Sequence, residues 1–553
     1  MGNIVFWVLF SALVIVALYI NFNNSKKRKQ SRRNEIIDSY GRFDRNKSVN
    51  IDVSRINGLC NYLNLSDNKS CEIDSITSND LSIKELFACI NQTLSSPGEE
   101  YLYYKFNSLN QDLESAESVR KLIDYYHENE EIRINAQFCL DELSKLKKVD
   151  SFKVIRDLKD KKAGNNVVHY LLDLFLLFSV IGIFISPGIG FVATIIMLIV
   201  NSAVYFSGKR LMEEDLYGFA YSIHLIKTAM KLFEIDKSDE FSKFKDLFII
   251  SKGNYWISFK SGTTSNPVSV LLVYLNLFLH FDLITYNRKL KMISEKAEEI
   301  TKLYISVGRV DALIAMASFL ASQNINCKPN FSDFSEGFDV KGLVHPFNEK
   351  PVPNDIKVTG GVILTGSNAS GKSTFLKACG LNVIFAQNFG FSLAKEYSGS
   401  IVRLYSSISL NDNILECDSF FVAEAKSLKR ICDAAKIYDN VFCLIDEVLK
   451  GTNTLERISS GTLVLRYLAE KNCICFAATH DVELSELLKE HYEPYYFTEE
   501  IIDGVMTFPY KIHKGIAGQG NAIKLLRLME FEPEITDNAE KLCREYKEKG
   551  RWI

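Results

Sequence analysis

The segment from Gly366 to Thr374, GSNASGKST, restricts the fold more than any other part of this 553-residue chain. It satisfies the pattern GxxxxGK[ST], follows the apolar run VILT and precedes a helical pattern, FLKACGLNVIFA. Small residues at this spacing let successive backbone N–H groups wrap a phosphate at a helix N-terminus, where the helix dipole favours an anion. The segment therefore predicts a strand, a P-loop and a helix that together bind ATP.

The individual residues of this loop have different predicted roles. Lys372 is expected to bridge the β- and γ-phosphates, and Ser373 is expected to ligate Mg²⁺. The predicted ATP-binding residues of the loop are Gly366, Ser367, Asn368, Ala369, Ser370, Gly371, Lys372, Ser373 and Thr374.

Two further apolar runs end in polar residues. VFCLIDE predicts a buried strand that ends in Asp446 and Glu447. Asp446 suits the Mg²⁺ shell, and Glu447 suits orienting or deprotonating the attacking water. CICFAATH ends in His480, which we predict to sense the γ-phosphate, although a lone loop histidine often has only a structural role. The alternation of short strands and helical patterns after Gly337 predicts an α/β domain with a largely parallel sheet.

The N-terminal residues predict a membrane anchor. Residues 4–20 are apolar and uncharged, and a helix of that length rises roughly 25 Å, close to the thickness of the hydrocarbon core. The basic run KKRKQSRR, at 26–33, follows directly and indicates the cytoplasmic side by the positive-inside rule. Because no basic segment precedes the apolar run and no cleavage site is evident, we expect an uncleaved anchor within residues 1–24.

A second apolar region, 167–206, is broken by SPGIG at 186–190 and predicts a transmembrane helical hairpin. Its flanks are basic, so both ends and the ATPase domain are expected on the cytoplasmic side. The flanking basic residues are Arg156, Lys159, Lys161, Lys162, Lys209 and Arg210. The alternative is a buried helical pair inside the soluble protein, and Asp173 in the first arm favours that alternative.

A third apolar stretch, 268–286, contains Asn276, His280 and Asp282. A charge at the bilayer centre costs about 2.5–3.5 kcal/mol. We therefore predict a buried helix of the soluble core here.

Charge and cysteine content exclude several classes of protein. Because 65 basic and 68 acidic residues give a net charge of −3, no global positive field attracts nucleic acid, and any such binding must be local. The 12 cysteines include no CxxC pair and several lie in apolar runs, which predicts reduced, buried thiols and neither a zinc site nor a disulfide framework.

With these motifs, the chain resembles the MutS mismatch-repair family. HPFNEKPVPNDI, at 345–356, is similar to that family's approach to the P-loop, where the resemblance places Val352, Asn354 and Asp355 near the adenine. DEVLKGTNT and ATH, which contain the acidic pair and His480, are similar to the family's later motifs. The segment 80–106 resembles the start of the family's helical lever, so the resemblance covers roughly 80–535.

The resemblance implies a multi-domain fold, with an α-helical lever domain and a C-terminal α/β P-loop ATPase domain of the ABC type. It also implies a homodimer with composite, Mg²⁺-dependent ATP sites. Helical periodicity between about Asp80 and Asn330 agrees with the lever. The predicted segments are an anchor at 1–24, a polar connector at 25–75, a helical domain at 76–335 that contains the hairpin, an ATPase domain at 336–535 and a tail at 536–553.

In the family, a signature segment closes over the partner's ATP. The matching stretch is 411–430, where Ser419 takes the serine position that contacts ATP in trans and Glu424 takes the acidic position. Cys417 replaces the expected glycine and Phe420 follows where threonine is usual. Ser419 is also a candidate N-cap of the helix that follows, and both roles are compatible.

The leading hypothesis is a membrane-anchored MutS-like ATPase in which ATP binding joins two heads and moves helical levers. The chain lacks residues that resemble the family's mismatch reader, and the apolar hairpin stands where the family's DNA clamp projects. Two alternatives are a membrane-tethered nucleic-acid binder that uses the 26–33 run, and a switch or scaffold that binds ATP with little turnover. A transporter is disfavoured because the apolar stretches contain no evident paired charges.

Overall fold

The computed structural model describes residues 19–20, 23–24, 26–47, 51–66, 70–236, 239–252, 267–367, 370–408, 420–502, 505–516 and 522–549. All but the last two residues of the apolar run 4–20 lie outside this described part, so the predicted anchor stays a prediction.

Helices make up the N-terminal part of the described chain. They are α1 (26–39), α2 (Val53–Ile56), α3 (Gly58–Ser66), α4 (Ser75–Asp80), α5 (Ile83–Ile90), α6 (Ser96–Phe106), α7 (Leu113–Glu128), α8 (Glu130–Leu143), α9 (Ser151–Arg156), α10 (Val167–Ile185), α11 (Pro187–Leu211), α12 (Glu213–Asp236), α13 (Asp239–Ser242), α14 (Lys245–Ser251), α15 (Pro267–Leu279), α16 (Phe281–Glu295) and α17 (Ala297–Ala321). A short 3-10 turn, Asp157–Asp160, follows α9, and the strands β1 (Ser70–Glu72) and β2 (Ser108–Asn110) pair antiparallel.

Strands and helices alternate in the C-terminal part. The strands are β3 (Asn330–Phe331), β4 (Phe338–Leu343), β5 (Asn354–Val358), β6 (Gly361–Thr365), β7 (Glu396–Gly399), β8 (Arg403–Ser407), β9 (Val441–Asp446), β10 (Ile474–Ala478), β11 (Tyr492–Phe497), β12 (Glu500–Ile502), β13 (Val505–Thr507) and β14 (Ile512–Lys514). The helices are α18 (Lys372–Phe389), α19 (Phe420–Ile437), α20 (Thr454–Glu470), α21 (Val482–Leu487), α22 (Ala522–Leu528) and α23 (Pro533–Lys549), and a 3-10 turn spans Phe334–Glu336.

The main sheet has the strand order β14-β11-β6-β10-β9-β8. All neighbours in it are parallel except β14, which runs antiparallel to β11. A second sheet has the order β3-β7-β4-β5. The multi-domain prediction, mostly helical with a sheet-containing C-terminal region, is confirmed at this level.

The helix α17 is the central element of the helical region, and α6 packs closely against it. A side chain on Gly308 would place its Cβ only 2.5 Å from the carbonyl oxygen of Pro97, so the two helices need glycine at this contact. Asp311 of α17 accepts hydrogen bonds from the backbone N–H groups of Leu94 and Ser95 at 2.8–3.1 Å. This carboxylate therefore anchors the start of α6, where Ser95 is the N-cap.

Residues 26–39 are an ordered helix that packs on α8, whereas the sequence predicts a polar connector across 25–75. Arg32 binds Asp141 through two guanidinium nitrogens, with Nη2 2.7 Å from Oδ1, and Lys29 pairs with Glu142. Ile36 is buried against the helical region. The polar composition of the segment predicts a connector, but a few apolar positions such as Ile36 provide a buried face.

Two of the long apolar helices, α10 and α11, form an antiparallel hairpin that projects a largely exposed apolar surface. Phe184, beside the turn, is 87% exposed. The arms approach closely at the turn, because a Cβ on Gly190 would lie 2.2 Å from the backbone nitrogen of Ile183. Among the described residues, α10, α11 and α17 are long and apolar enough to span a membrane, but α17 is mostly buried in the helical region.

The third apolar stretch is predicted as a buried helix of the soluble core, but its first helix packs against the hairpin instead. The helix α15 packs against α11 and α10, and Val273 and Tyr274 on it are exposed. Its polar residues Asn276 and His280 are buried. The prediction of burial was thus wrong for Val273 and Tyr274 and right for these polar residues and for Leu283, Ile284 and Tyr286 at the end of the stretch.

The helical and sheet regions share one continuous hydrophobic core. The helix α18 lies between them and is buried along almost its whole length. At its C-terminal end the side-chain amide of Asn388 donates to the carbonyl oxygens of Lys105 and Ser108, both at 2.6 Å. These hydrogen bonds attach the end of α18 directly to α6 and β2.

Glu100 of α6 is a buried carboxyl in this core, and it gives the protein a predicted pH dependence. Its Oε1 accepts a hydrogen bond from Ser151 Oγ at 2.6 Å, while Oε2 has no hydrogen-bond partner. Burial raises the pKa of Glu100 from 4.5 to about 8, because the charged form loses its hydration. The folded state therefore holds a proton that the unfolded state releases within this pH window, and the free energy of unfolding falls as pH rises from about 4.5 to about 8.

We expect Glu100→Gln to remove this loss of stability. The variant should unfold at a higher temperature than the unsubstituted protein at pH above 8 and at the same temperature at pH below 4.5, in thermal unfolding followed by circular dichroism. Glu117→Gln, at an exposed position of α7, is the matched control and should change neither value. An unchanged pH dependence in Glu100→Gln would show that another group titrates.

Candidate nucleotide site

Three predicted motifs meet at one edge of the main sheet. The strands β6, β10 and β9 are neighbours and run parallel, so their carboxyl ends lie side by side. The P-loop follows β6, the acidic pair ends β9, and His480 follows β10. Ligands of open α/β sheets bind at this edge.

Two glycines of the P-loop have backbone conformations that other residues avoid. Gly366 has a φ of +144° and Gly371 a φ of +111°. A Cβ on Gly366 would also lie 2.6 Å from the carbonyl oxygen of Phe497. The loop thus needs glycine both for its turn and for its contact with the neighbouring strand. Asn368 and Ala369 lie outside the described residues, so their predicted roles stay predictions.

The side chain of Lys372 lies over the loop. Its ammonium donates hydrogen bonds to the carbonyl oxygens of Gly366 at 2.7 Å and Ser367 at 3.0 Å. Burial lowers the pKa of Lys372, and the nearby carboxylates of Asp446 and Glu447 oppose that shift. The buried position beside these carboxylates holds a cation where phosphate groups would enter.

The two predicted magnesium ligands contact each other. Ser373 Oγ donates a hydrogen bond to Asp446 Oδ2. Burial raises the pKa of Asp446, while the hydrogen bond from Ser373 and the charge of Lys372 oppose the shift. Oxygen ligands of this kind suit Mg²⁺, which needs one or two protein oxygens beside phosphate and water.

One buried polar atom of the loop also fits a phosphate ligand. Ser370 Oγ is buried without a hydrogen-bond partner, and a buried hydroxyl without a partner is costly. Together with the Ser373–Asp446 pair, this donor makes the described residues suitable for a Mg²⁺–nucleotide complex.

The carboxylate of Glu447 has two nitrogen partners in the structure. His480 Nε2 lies 2.9 Å from Oε1, and Lys450 Nζ lies 2.7 Å from Oε2. The backbone of Glu447 is left-handed, with a φ of +59°, and its N–H donates to the carbonyl oxygen of Ala478 at 2.8 Å. The structure thus brings Glu447, His480 and Lys450 together.

The loop after Glu447 is held by a residue of α19. Glu424 is 3% exposed, and its carboxylate accepts hydrogen bonds from the backbone N–H groups of Lys450 at 2.8 Å and Gly451 at 3.3 Å. Leu449, within the loop, has a φ of +57°, which costs roughly 1–2 kcal/mol for a residue with a side chain. Glu424 therefore holds a strained loop that contains Lys450 and begins at Glu447.

We expect Glu424→Ala to lower ATP turnover by roughly tenfold or more while ATP affinity changes little. The variant leaves two N–H groups without their partner, which costs about 1–3 kcal/mol, and it frees the loop next to Glu447. Steady-state turnover and ATP titration separate the two effects. Glu424→Gln keeps an acceptor and should recover most of the loss. Equal losses of affinity and turnover in Glu424→Ala would contradict this positioning role.

The signature segment, 411–430, begins outside the described residues. Residues 409–419 lie outside the described part, including Cys417 and Ser419. The trans contact of Ser419 therefore stays a prediction.

A cavity of about 450 Å³ adjoins the P-loop. Its lining includes His345, Phe347, Asn354, Thr374, Phe497 and Tyr510. Asn354 fixes the far wall, because its amide donates to the carbonyl oxygen of Tyr510 at 3.0 Å and its Oδ1 accepts from the N–H of Ile512 at 2.9 Å. The aromatic lining suits a planar base.

The three residues carried over for the adenine have different positions. Val352 and Asn354 line the cavity, whereas Asp355 does not. Asp355 Oδ1 accepts a hydrogen bond from the N–H of Gly342 at 2.7 Å, so it stabilises the bulge between β4 and β5. Adjacent residues of a strand point to opposite faces, which explains the difference.

Sequence reasoning missed the partners that come from distant segments. Lys450 lies within DEVLKGTNT but had no assigned role, and Phe497 and Tyr510, which line the site, belong to no recognisable motif. Only the position of Lys450, three residues after the acidic strand end, offered a signal.

The fold defines a multi-domain, mostly helical chain with a sheet-containing C-terminal domain. Residues 362–547 of that domain match MutS domain V. This region is therefore similar to a domain of MutS-family proteins.

Curated relatives match along nearly half of the chain. The DNA mismatch repair protein MutS of Petrotoga mobilis is 30% identical over 269 residues, which are 46% of this chain and 32% of the relative. MutS protein homolog 4 of Homo sapiens is 31% identical over 280 residues, 47% of this chain and 29% of the relative. The chain therefore spans about a third of the length of these relatives.

Proposed function

We propose that the chain is a Mg²⁺-dependent, MutS-like ATPase that is attached to a membrane by its apolar helices and works as a homodimer. The observation that carries the ATPase proposal is the cluster of Lys372, Ser373, Asp446, Glu447 and His480 at one sheet edge. In this proposal Lys372 neutralises the phosphates, and Ser373 and Asp446 hold Mg²⁺. Glu447 orients or deprotonates the attacking water, with His480 beside it.

The chemistry that bound Mg²⁺ would supply is charge neutralisation on the transferring phosphoryl group. The chain's own residues would position the nucleotide. The P-loop N–H groups and the N-terminus of α18 bind phosphate, and the aromatic cavity holds the base. Hydrolysis requires that Glu447 exchange at least one of its two present side-chain partners for water.

The membrane proposal rests on the exposed surface of the α10–α11 hairpin. Exposed apolar patches of this kind mark membrane or protein interfaces, and the arms contain 19 and 25 residues, which suits a bilayer core. Because α11 leads into α12, which packs on α8, α9 and α17, motion of the helical region reaches the hairpin. We infer that ATP-driven movement of the heads is coupled to the hairpin by this path.

A cysteine-accessibility experiment tests whether the hairpin spans. Ile189→Cys introduces a thiol at the exposed turn, and Cys543 is a native exposed thiol on α23. In intact cells, a membrane-impermeant maleimide should label position 189, while Cys543 should react only after permeabilisation. Labelling of both thiols only after permeabilisation would reject a spanning hairpin.

A membrane-tethered DNA-binding function is the second candidate, because curated relatives are named DNA mismatch repair proteins. The basic 26–33 run is the candidate DNA-binding segment. In the structure it is partly neutralised, because Arg32 and Lys29 pair with acidic residues of α8. DNA binding that weakens steeply with added salt would support this candidate.

An ATP-binding switch with little turnover is the third candidate. It is favoured by the pairing of Glu447 with both Lys450 and His480. ATP binding without multiple turnovers would support it.

A further inference from the structure

The segment 40–47, which follows α1, contacts the lining of the cavity beside the P-loop. Arg45 Nε donates a hydrogen bond to the backbone carbonyl oxygen of Pro346 at 3.2 Å. Pro346 is buried, and the residues on either side of it, His345 and Phe347, line the cavity. An arginine 301 positions earlier in the chain therefore holds part of the cavity lining.

Two rings of the cavity lining belong to one turn, 345–348. The N–H of Phe347 donates to His345 Nδ1 at 3.3 Å, and the N–H of Asn348 donates to the carbonyl oxygen of His345 at 3.3 Å. The centroids of the two rings are 5.8 Å apart. Rings of this kind stack on a planar base. Because the carbonyl that Arg45 holds belongs to the residue between the two rings, this one contact restrains both of them.

The backbone on both sides of Arg45 is attached to the helical region. Before it, the N–H of Gly41 donates to Ser318 Oγ of α17 at 3.0 Å. After it, Lys47 Nζ donates to the carbonyl oxygen of Asn91 at 3.3 Å. The hydrogen bond from Arg45 to the turn therefore starts from a segment that is itself fixed.

The guanidinium of Arg45 has a second contact, with an aromatic ring. Its central carbon lies 5.1 Å from the centroid of the Phe43 ring. Phe43 packs edge-on against Phe319 of α17, which is 2% exposed, with 5.0 Å between the ring centroids. A planar guanidinium held over a ring loses little conformational freedom when it donates a hydrogen bond. Arg45 is therefore preorganised to hold the turn.

We propose that Arg45 is a positioning residue for the base of the bound nucleotide, because it fixes the turn 345–348 whose rings, His345 and Phe347, receive that base. This inference rests on the proposed ATP-binding function. Arg45 holds the base cavity and not the P-loop or the acidic strand end. Loss of its contact should therefore weaken binding of the base and leave the hydrolytic step unchanged.

Isothermal titration of the full chain in mild detergent with two probes tests this proposal. One probe is the non-hydrolysable β,γ-imido analogue of ATP, and the other is tripolyphosphate, which has neither base nor ribose, each with Mg²⁺. Arg45→Ala loses one charge-assisted hydrogen bond and should bind the analogue roughly tenfold more weakly, about 1.4 kcal/mol. It should bind tripolyphosphate as tightly as the unsubstituted protein does. Arg45→Lys keeps a cationic donor and should recover most of the loss.

Steady-state turnover provides a second readout of the same variant. Arg45→Ala should raise the KM for ATP while kcat stays unchanged. Arg42→Ala removes an exposed arginine of the same segment and is the matched control, for which both affinities and both kinetic parameters should be unchanged.

Three results for Arg45→Ala would overturn the proposal. The first is unchanged affinity for the ATP analogue. The second is an equal loss of affinity for both probes, which would mean that the segment supports the whole domain. The third is a lower kcat with an unchanged KM. Failure of the unsubstituted protein to bind either probe would instead refute the proposed ATPase function, and this inference with it.

Discussion

Glu447→Gln should lower ATP turnover by about 10²–10⁴-fold while ATP still binds, since general-base catalysis contributes that much to rate. Glutamine keeps the size of the side chain but cannot accept a proton from water. It also loses the negative charge that holds Lys450 and His480, so the site should favour bound triphosphate. We expect the variant to accumulate as an ATP-bound dimer, measured by steady-state turnover and by light scattering with size-exclusion chromatography.

The matched control for this variant is Glu493→Gln. Glu493 forms an exposed ion pair with Lys514 at the edge of the sheet, and exposed pairs contribute little. Its turnover should equal that of the unsubstituted protein. Normal turnover in Glu447→Gln would contradict the role assigned to Glu447, and lost ATP binding in that variant would show that the carboxylate stabilises the site instead.

Lys372→Ala is expected to abolish detectable ATP binding. The ammonium holds the P-loop through the carbonyl oxygens of Gly366 and Ser367, and it is the cation placed to meet the phosphates. Charge-assisted hydrogen bonds are about twice as strong as neutral ones, so the variant loses both the electrostatic contact and the order of the loop. Isothermal titration with ATP and Mg²⁺ measures the effect.

Lys514→Ala removes one exposed positive charge elsewhere in the same domain and is the control for Lys372→Ala. Its ATP affinity should be unchanged. If Lys372→Ala bound ATP as tightly as Lys514→Ala, the P-loop assignment would be wrong.

The local parts of the site could be predicted because each depends on a short segment. The P-loop follows an apolar strand, and Asp446 and Glu447 come at the end of another strand of the same parallel sheet, so the rule for parallel strands is enough to place them at one edge. The contact between His480 and Glu447 follows from the same rule. No spacing pattern links Glu424 to Gly451, because α19 reaches the loop only after the chain has folded.

The hairpin shows where sequence reasoning reached its limit. Hydropathy predicts the two arms, and the structure leaves them exposed as a pair. The placement of α15 was not predicted, because the penalty for His280 and Asp282 was counted for isolated side chains. In the fold each has hydrogen-bond partners on α10 or α11, which lowers that penalty.

The most direct test of the central claim is ATP turnover by the purified full chain in lipid, with and without Mg²⁺. The account predicts turnover that requires Mg²⁺, is absent in Lys372→Ala and is unaffected by DNA. Turnover no higher than that of Lys372→Ala, or turnover that appears only with DNA, would contradict a membrane ATPase.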